Sequence, residues 1–261
     1  MVSAARLRRA QEAAFAARPY AEKLESVLQN LATQGQALSH PLLTTREEQN
    51  LDLLLVTSDR GLCGGFNSNL VRAAEAFARA HPNQKVTLTI VGRRGYDYFK
   101  RRPVQLGEHH INLFGWLTPT LANEIGTRLS QRFVNGETDG VYVLYARFRS
   151  ALVQVPTLDH ILPITPKERV ADAPSHEYLY EPQPQELLES LLTRYVDMLI
   201  YRAMLESVAS EHGARMTAME NAANNAVDMI DQLTLDMNRA RQAGITRELL
   251  EIVSTSESLK G

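Results

Sequence analysis

The sequence is short of cysteine: Cys63 is the only one among 261 residues, so no disulfide can close within the chain. No run approaches the roughly 18 consecutive apolar residues that a membrane-crossing helix requires. The opening Met1-Val2-Ser3-Ala4-Ala5-Arg6 does not read as a secretory signal, having no apolar centre. An excess of one charge is lacking too, since a net charge of −2 creates no field to gather nucleic acid or anionic lipid. Patterns that mark common catalytic sites are missing: Gly-x-Ser-x-Gly, His-Glu-x-x-His and Cys-x-x-Cys do not occur. The adjacent His109 and His110 have no cysteine or carboxylate cluster at ligand spacing. Neither a metal nor a cofactor is therefore expected.

Proline is absent from Gln185 to Gly261, and the only glycines inside that stretch are Gly213 and Gly244. Nothing there forces a helix to break. Apolar residues recur at alternating steps of three and four. One seam reads Leu188, Tyr195, Arg202, Ala209, Met216, Ala223, Ile230, Met237; its companion reads Leu191, Met198, Leu205, His212, Met219, Ala226, Leu233, Ala240. Only Arg202 and His212 break the apolar pattern, which predicts a coiled-coil seam. A helix of roughly 70 residues is on the order of 105 Å long, more than one domain buries, so much of it is expected to project.

Such a seam needs a partner, and the N-terminus offers one. Leu7, Ala10, Ala14, Ala17, Ala21, Leu24, Leu28 and Leu31 follow the same alternation, with Pro19 as an expected kink. Two helices at opposite ends of the chain, with a domain between them, predict an antiparallel coiled coil.

The middle reads as a Rossmann-like α/β domain. Strands are expected at Leu51–Thr57, Val86–Val91, Gly140–Phe148 and Ala151–Ile164. Helices are expected from Asn67 or Ser68 to about His81, with Leu70, Val71, Ala74 and Phe77 inward, from Arg94 to Arg101, and from Thr118 or Thr120 to about Asn135. Strands alternating with helices predict a largely parallel sheet. The expected organisation is an N-terminal helix over 1–40, a central domain over 50–165, a proline-containing linker over 166–184 and a C-terminal helix over 185–261.

After the first strand, Thr57 to Asn67 (TSDRGLCGGFN) forms a glycine-containing loop leading into a helix. A strand, a glycine turn and a helix can cradle phosphate on backbone N–H groups. However, no Gly-Lys-Ser/Thr ending supplies a lysine or a metal-holding hydroxyl, and the dinucleotide glycine spacing is absent. The competing reading is a tight turn that needs positive φ or close backbone approach. Cys63 within it reads as a packed side chain or as a nucleophile. On the long helix Glu186, Glu189, Asp197, Glu206, Asp228, Asp231 and Asp236 read as a solvated face. Arg6, Arg8 and Arg9 form a short basic cluster, read as a solvated face or a contact to an acidic protein partner.

Three motifs in order along the chain resemble the gamma subunits of F-type rotary ATP synthases. They are Met1 to Gln11 (MVSAARLRRAQ), the Thr57–Asn67 loop, and two stretches of the long helix, Ser210 to Ala222 (SEHGARMTAMENA) and Asn238 to Val253 (NRARQAGITRELLEIV). The resemblance implies a central rotor shaft without an active site of its own. Proton movement through a ring of c subunits would turn it, and its rotation would cycle the catalytic beta subunits through their conformations. It implies alpha, beta, epsilon and c subunits as partners and a peripheral place on the cytoplasmic side of a bacterial plasma membrane. Arg241, Gln242 and Thr246 match family positions that contact a beta subunit, and Arg6, Arg8 and Arg9 are implied contacts to an acidic beta loop. Apolar residues past Gly244, from Ile245 to Val253, would slide within an apolar bearing.

The resemblance also carries an expectation of N-terminal shortening. The family has further residues before the stretch that Met1 matches, and the amphipathic pattern is already under way at Leu7 with no capping box ahead of it. Seam residues such as Met229, Ile230, Leu233 and Met237 would then lack a partner. Two other readings remain beside the rotor: a nucleotide-binding α/β protein with a helical appendage, and a coiled-coil scaffold or nucleic-acid tether.

Overall fold

The computed structural model describes residues 7–13, 15–16, 19–20, 23–24, 26–27, 40–113, 118–165 and 184–258, with the backbone alone for 184–189 and 257. Its contacts divide the chain into two units, Met1–Thr217 and Ala218–Gly261.

The first unit is built on a five-stranded sheet in the order β3-β2-β1-β4-β5. The strands are β1 (Asn50–Val56), β2 (Lys85–Val91), β3 (Gln105–His110), β4 (Gly140–Phe148) and β5 (Gln154–Leu162). β1 runs parallel to β2 and β4, β2 parallel to β3, and only β5 is antiparallel to its neighbour. The central position of β1 explains its near-continuous apolar run, because a central parallel strand is covered on both faces. Leu53 and Leu55 point to one face, Leu54 and Val56 to the other, and all four are buried.

Each face has its own core. Leu53, Leu55, Leu144 and Ala146 meet helix α2 (Phe66–Ala80) and Phe99 of α3 (Arg93–Phe99). The four inward residues expected of α2, Leu70, Val71, Ala74 and Phe77, are all buried there. On the opposite face, Leu54, Val56, Val143 and Tyr145 meet α4 (Pro119–Val134) and the stretch Leu192–Met204 of the long helix α5 (Pro184–Ser258). The expected start of α4 is confirmed at Thr118, whose hydroxyl accepts from the Leu121 N–H.

Three expectations are corrected. Neither Asn67 nor Ser68 caps α2: Gly65 occupies the cap position without a side-chain bond, and the Asn67 amide is engaged with Ser58 instead. β3 was absent from the sequence reading because its segment, QLGEHH, is polar; it is an edge strand with only Leu106 apolar. The long-helix carboxylates do not share one solvated face, because Glu206 is buried beside Arg202 and Asp197 is half-buried against α4, bonded to Asn123. A side chain on Gly126 would collide with that Asp197 carboxylate, so the glycine lets the two helices close.

Residues 7–13 form a helical stretch, α1, and the described residues as far as Val27 are helical too, including Pro19. Residues 17, 18, 21 and 22 around Pro19, where a kink would form, lie outside the described ones, as does 166–183 of the expected linker. Leu7 and Ala10 are buried with Ala209, edged by Val208 and Met216. Ala13 packs on Leu205 beside Met198. The N-terminal helix thus packs on α5 through residues of the expected seam.

The second unit consists of helix through Ser258, and its large apolar side chains, among them Ile230, Leu233, Met237 and Leu250, are exposed. No helix among the described residues is long and apolar enough to cross a membrane.

Candidate functional site

The glycine loop closes upon itself. Leu62 and Gly64 adopt positive φ, at 62° and 54°, so the tight-turn reading holds. The Asn67 side chain accepts from the Ser58 N–H at 3.1 Å, and the Ser58 hydroxyl donates to Arg60 O at 2.6 Å. Asn67 Nδ2 donates to Cys63 Sγ at 3.1 Å. Cys63 is 2% exposed, and burial pushes its thiol above the ordinary range, which disfavours the thiolate that a nucleophile needs. From the long helix, the Arg215 guanidinium donates to Gly61 O at 3.3 Å and to Glu211 at 2.7 Å.

The strand order makes the gap between β1 and β4 the place where successive connections leave in opposite directions. In open α/β sheets, ligands bind outside the carboxyl ends of the strands at this point. Here α5 fills it. Pairing of β1 with β4 ends at Leu55 and Leu144, leaving carbonyls beyond it without a partner across the gap. The Ser210 hydroxyl donates to Ala146 O of β4 at 2.9 Å, and Ser207 approaches Val56 O of β1 at 3.4 Å. Thr217 donates to Ala151 O in the turn after β4 at 3.1 Å. Ser207 and Ser210 are buried. Of these three α5 residues, Ser210 and Thr217 fall within the Ser210–Ala222 motif, but none of the three is given a contact by the sequence. The signal was there: Leu192, Val196, Ile200, Ala203, Ser207, Ser210, Ala214 and Thr217 form a second stripe at steps of three and four, beside the apolar seam.

A cleft of about 380 Å³ remains between α1, α5 and the ends of β1 and β2, lined by Arg9, Thr57, Asp59, Ser207, Glu211 and His212 among others. Its acids are engaged. Asp59 accepts from the N–H groups of Arg93 and Asn112, both at 2.9 Å. Burial raises the Glu211 carboxyl, and Arg215 pulls it partly back. His109 stacks on Tyr96 at 4.2 Å and His110 lies 3.7 Å from Glu108. Burial lowers the pKa of His110. Among the described residues no group of three His, Cys, Asp or Glu is arranged to hold a metal ion.

The residues expected to contact partners are at the surface where described. Arg8 is exposed and pairs with Glu12 at 2.9 Å; Arg9 is exposed at the cleft; Arg6 lies outside the described residues. In the second unit Arg241, Gln242 and Thr246 are exposed. The Thr246 hydroxyl donates to Gln242 O at 2.9 Å, which places the two on adjacent turns of one face. Around Gly244 there is open space.

A family model described as ATP synthase matches residues 1–259. The ATP synthase gamma chain of Geobacter sp. (strain M21) is 48% identical over 263 residues, covering 100% of this chain and 91% of that one. The gamma chain of Pelotomaculum thermopropionicum is 44% identical over 259 residues, covering 99% and 91%. Among solved structures, a chain from the Tetrahymena thermophila mitochondrial ATP synthase central stalk and c-ring superposes with a TM-score of 0.60 at 26% identity, over 85% of this chain and 100% of that one. A chain of the Euglena gracilis mitochondrial ATP synthase shares the fold, with a TM-score of 0.61 at 20% identity over 97% and 94%.

Proposed function

The chain belongs to the ATP synthase gamma-chain family, the non-catalytic central-stalk subunits of F-type ATP synthases, and on that premise we propose how its parts divide the work of the rotor. The helices over 1–40 and 185–261 pair as an antiparallel coiled coil and form the shaft. The Rossmann-like domain over 50–165 is its base, joined to the long helix by 166–184. The shaft turns within a ring of alpha and beta subunits; the base, with an epsilon subunit, rides on the c-subunit ring. Proton flow through that ring turns the base, and the turning shaft drives the beta subunits through their catalytic conformations. Arg241, Gln242 and Thr246 meet one beta subunit, and Arg6, Arg8 and Arg9 face an acidic beta loop. The complex sits on the cytoplasmic side of a bacterial plasma membrane, with this chain peripheral to it. No cofactor is assigned to the chain.

One observation carries this division. The gap between β1 and β4, where this class of sheet places its nucleotide, is occupied by α5 through Ser207 and Ser210, and the remaining cleft lies to one side of it. A nucleotide-binding protein would keep that crevice open, whereas a shaft needs its helix seated there. Exposure of the large apolar side chains in the second unit fits insertion into an apolar ring. The test is to assay the pure chain and the chain mixed with alpha and beta subunits. The isolated chain should show neither magnesium-dependent ATP hydrolysis nor thermal protection by ATP, and it should co-purify with the catalytic subunits. Turnover by the isolated chain, or failure to co-purify, would remove the rotor reading.

A further inference from the structure

We propose that Ser207, Ser210, Arg215 and Thr217 form a torsional clamp: they are positioning residues that stop α5 from turning in its socket when torque passes between shaft and base. The inference rests on the rotor reading above and adds the residues that carry its load.

The geometry separates two kinds of contact. Lower on α5, Leu192, Val196 and Ile200 bury apolar surface on the sheet and α4. Such contact is non-directional, so it weakens only gradually over small turns of the helix about its axis. Above them the same stripe changes to small and hydroxyl-bearing residues. Close approach there is enforced, because a side chain on Gly213 would come within 3.2 Å of Ala151 Cα and 3.3 Å of the Phe148 ring. The polar side chains at this level reach main-chain carbonyls, whose positions are fixed by the sheet and its turns.

The four acceptors lie alternately on two sides of the helix. Ser207 addresses Val56 at the end of β1, and Ser210 addresses Ala146 in β4. Arg215 addresses Gly61 in the loop after β1, and Thr217 addresses Ala151 in the turn after β4. Rotation in either sense therefore stretches hydrogen bonds on one side, and these are directional and weaken with misalignment. The loop that receives Arg215 is itself held by the Asn67 amide on Ser58, so the anchor does not yield freely. α5 continues without interruption to Ser258, and a clamp at this level fixes the root of the helix.

The test uses the assembled proton-pumping complex in sealed vesicles, comparing the unaltered chain with Thr217→Val, Thr217→Ser and the double variant Ser207→Ala/Ser210→Ala. The readout is protons taken up per ATP hydrolysed. Thr217→Val preserves shape and removes the hydroxyl, so it keeps the test informative should the double variant assemble poorly. The ratio should fall by about half or more in the double variant and measurably in Thr217→Val, while ATP hydrolysis persists and Thr217→Ser behaves as the unaltered chain. A ratio held at the unaltered value, or hydrolysis and uptake falling in step, overturns the clamp alone. An unaltered chain that enters no pumping complex removes the rotor reading, and the clamp with it.

Discussion

Asp52, in the first half of β1, is gripped by Arg132 of α4: Nε lies 2.8 Å from one carboxylate oxygen and the terminal nitrogen 3.2 Å from the other. The carboxylate is 1% exposed and the guanidinium 37%. Burial raises the Asp52 pKa, and Arg132 offsets part of that rise. The pair ties the sheet to the helix that shares a core with α5.

Arg132→Ala leaves this buried acid without its partner. The expected loss of folding stability is about 3 kcal/mol at neutral pH, at the low end for a buried pair because Arg132 reaches solvent. A raised folded-state pKa means that ionised Asp52 costs stability, and the cost vanishes below the acid's ordinary pKa. The deficit should therefore shrink as pH falls toward about 4. Urea unfolding at neutral and acid pH checks it; a deficit independent of pH would show that the charge is not its source.

Gly92 precedes α3 with φ at 99°, and a Cβ there would collide with the Thr57 carbonyl. Thr57 is held to this turn, its N–H donating to Val91 O at 2.8 Å. Gly92→Ala should cost about 1–3 kcal/mol for the backbone conformation alone, with the collision added. Thermal unfolding should show a clear drop in Tm, whereas Gly244→Ala, in open space on the second unit, should not lower it.

Much of this fold was legible because the decisive segments are apolar. Leu51 to Val56 can only be a covered strand, and Thr118 before Pro119 announces the start of α4. β3 was not legible, because an edge strand needs few apolar residues. The cap of α2 was misread because Asn67 has the right chemistry for a cap but spends it on Ser58. On α5 the strong apolar seam masks the second stripe beside it. Its serines look solvent-facing in sequence, yet Ser210 is fully buried, since the ends of strands present carbonyls that a hydroxyl can satisfy. Glu206 reads as a surface residue because it is charged, yet it is buried with Arg202 3.5 Å away.

Cys63 should alkylate slowly in the folded chain. Its thiol is buried and its pKa lies above the ordinary value. Iodoacetamide labelling at mildly alkaline pH should be far slower than for the unfolded chain. Equal rates would mean that the loop opens freely.

Gln242 and Thr246 lie on adjacent turns at the surface of the second unit. Replacing both with leucine should lower ATP turnover or assembly of the complex with alpha and beta subunits, and leave thermal unfolding of the isolated chain unchanged. Normal turnover by the assembled double variant would remove them as a contact to beta.

Rotation itself is the most direct measurement. Arg101 is exposed on the first unit, so Arg101→Cys offers a labelling site that buried Cys63 does not compete with. With the catalytic subunits fixed to a surface and a bead attached there, ATP should drive unidirectional rotation of the bead. Sustained hydrolysis beneath a stationary bead would contradict the assignment of this chain as the rotor.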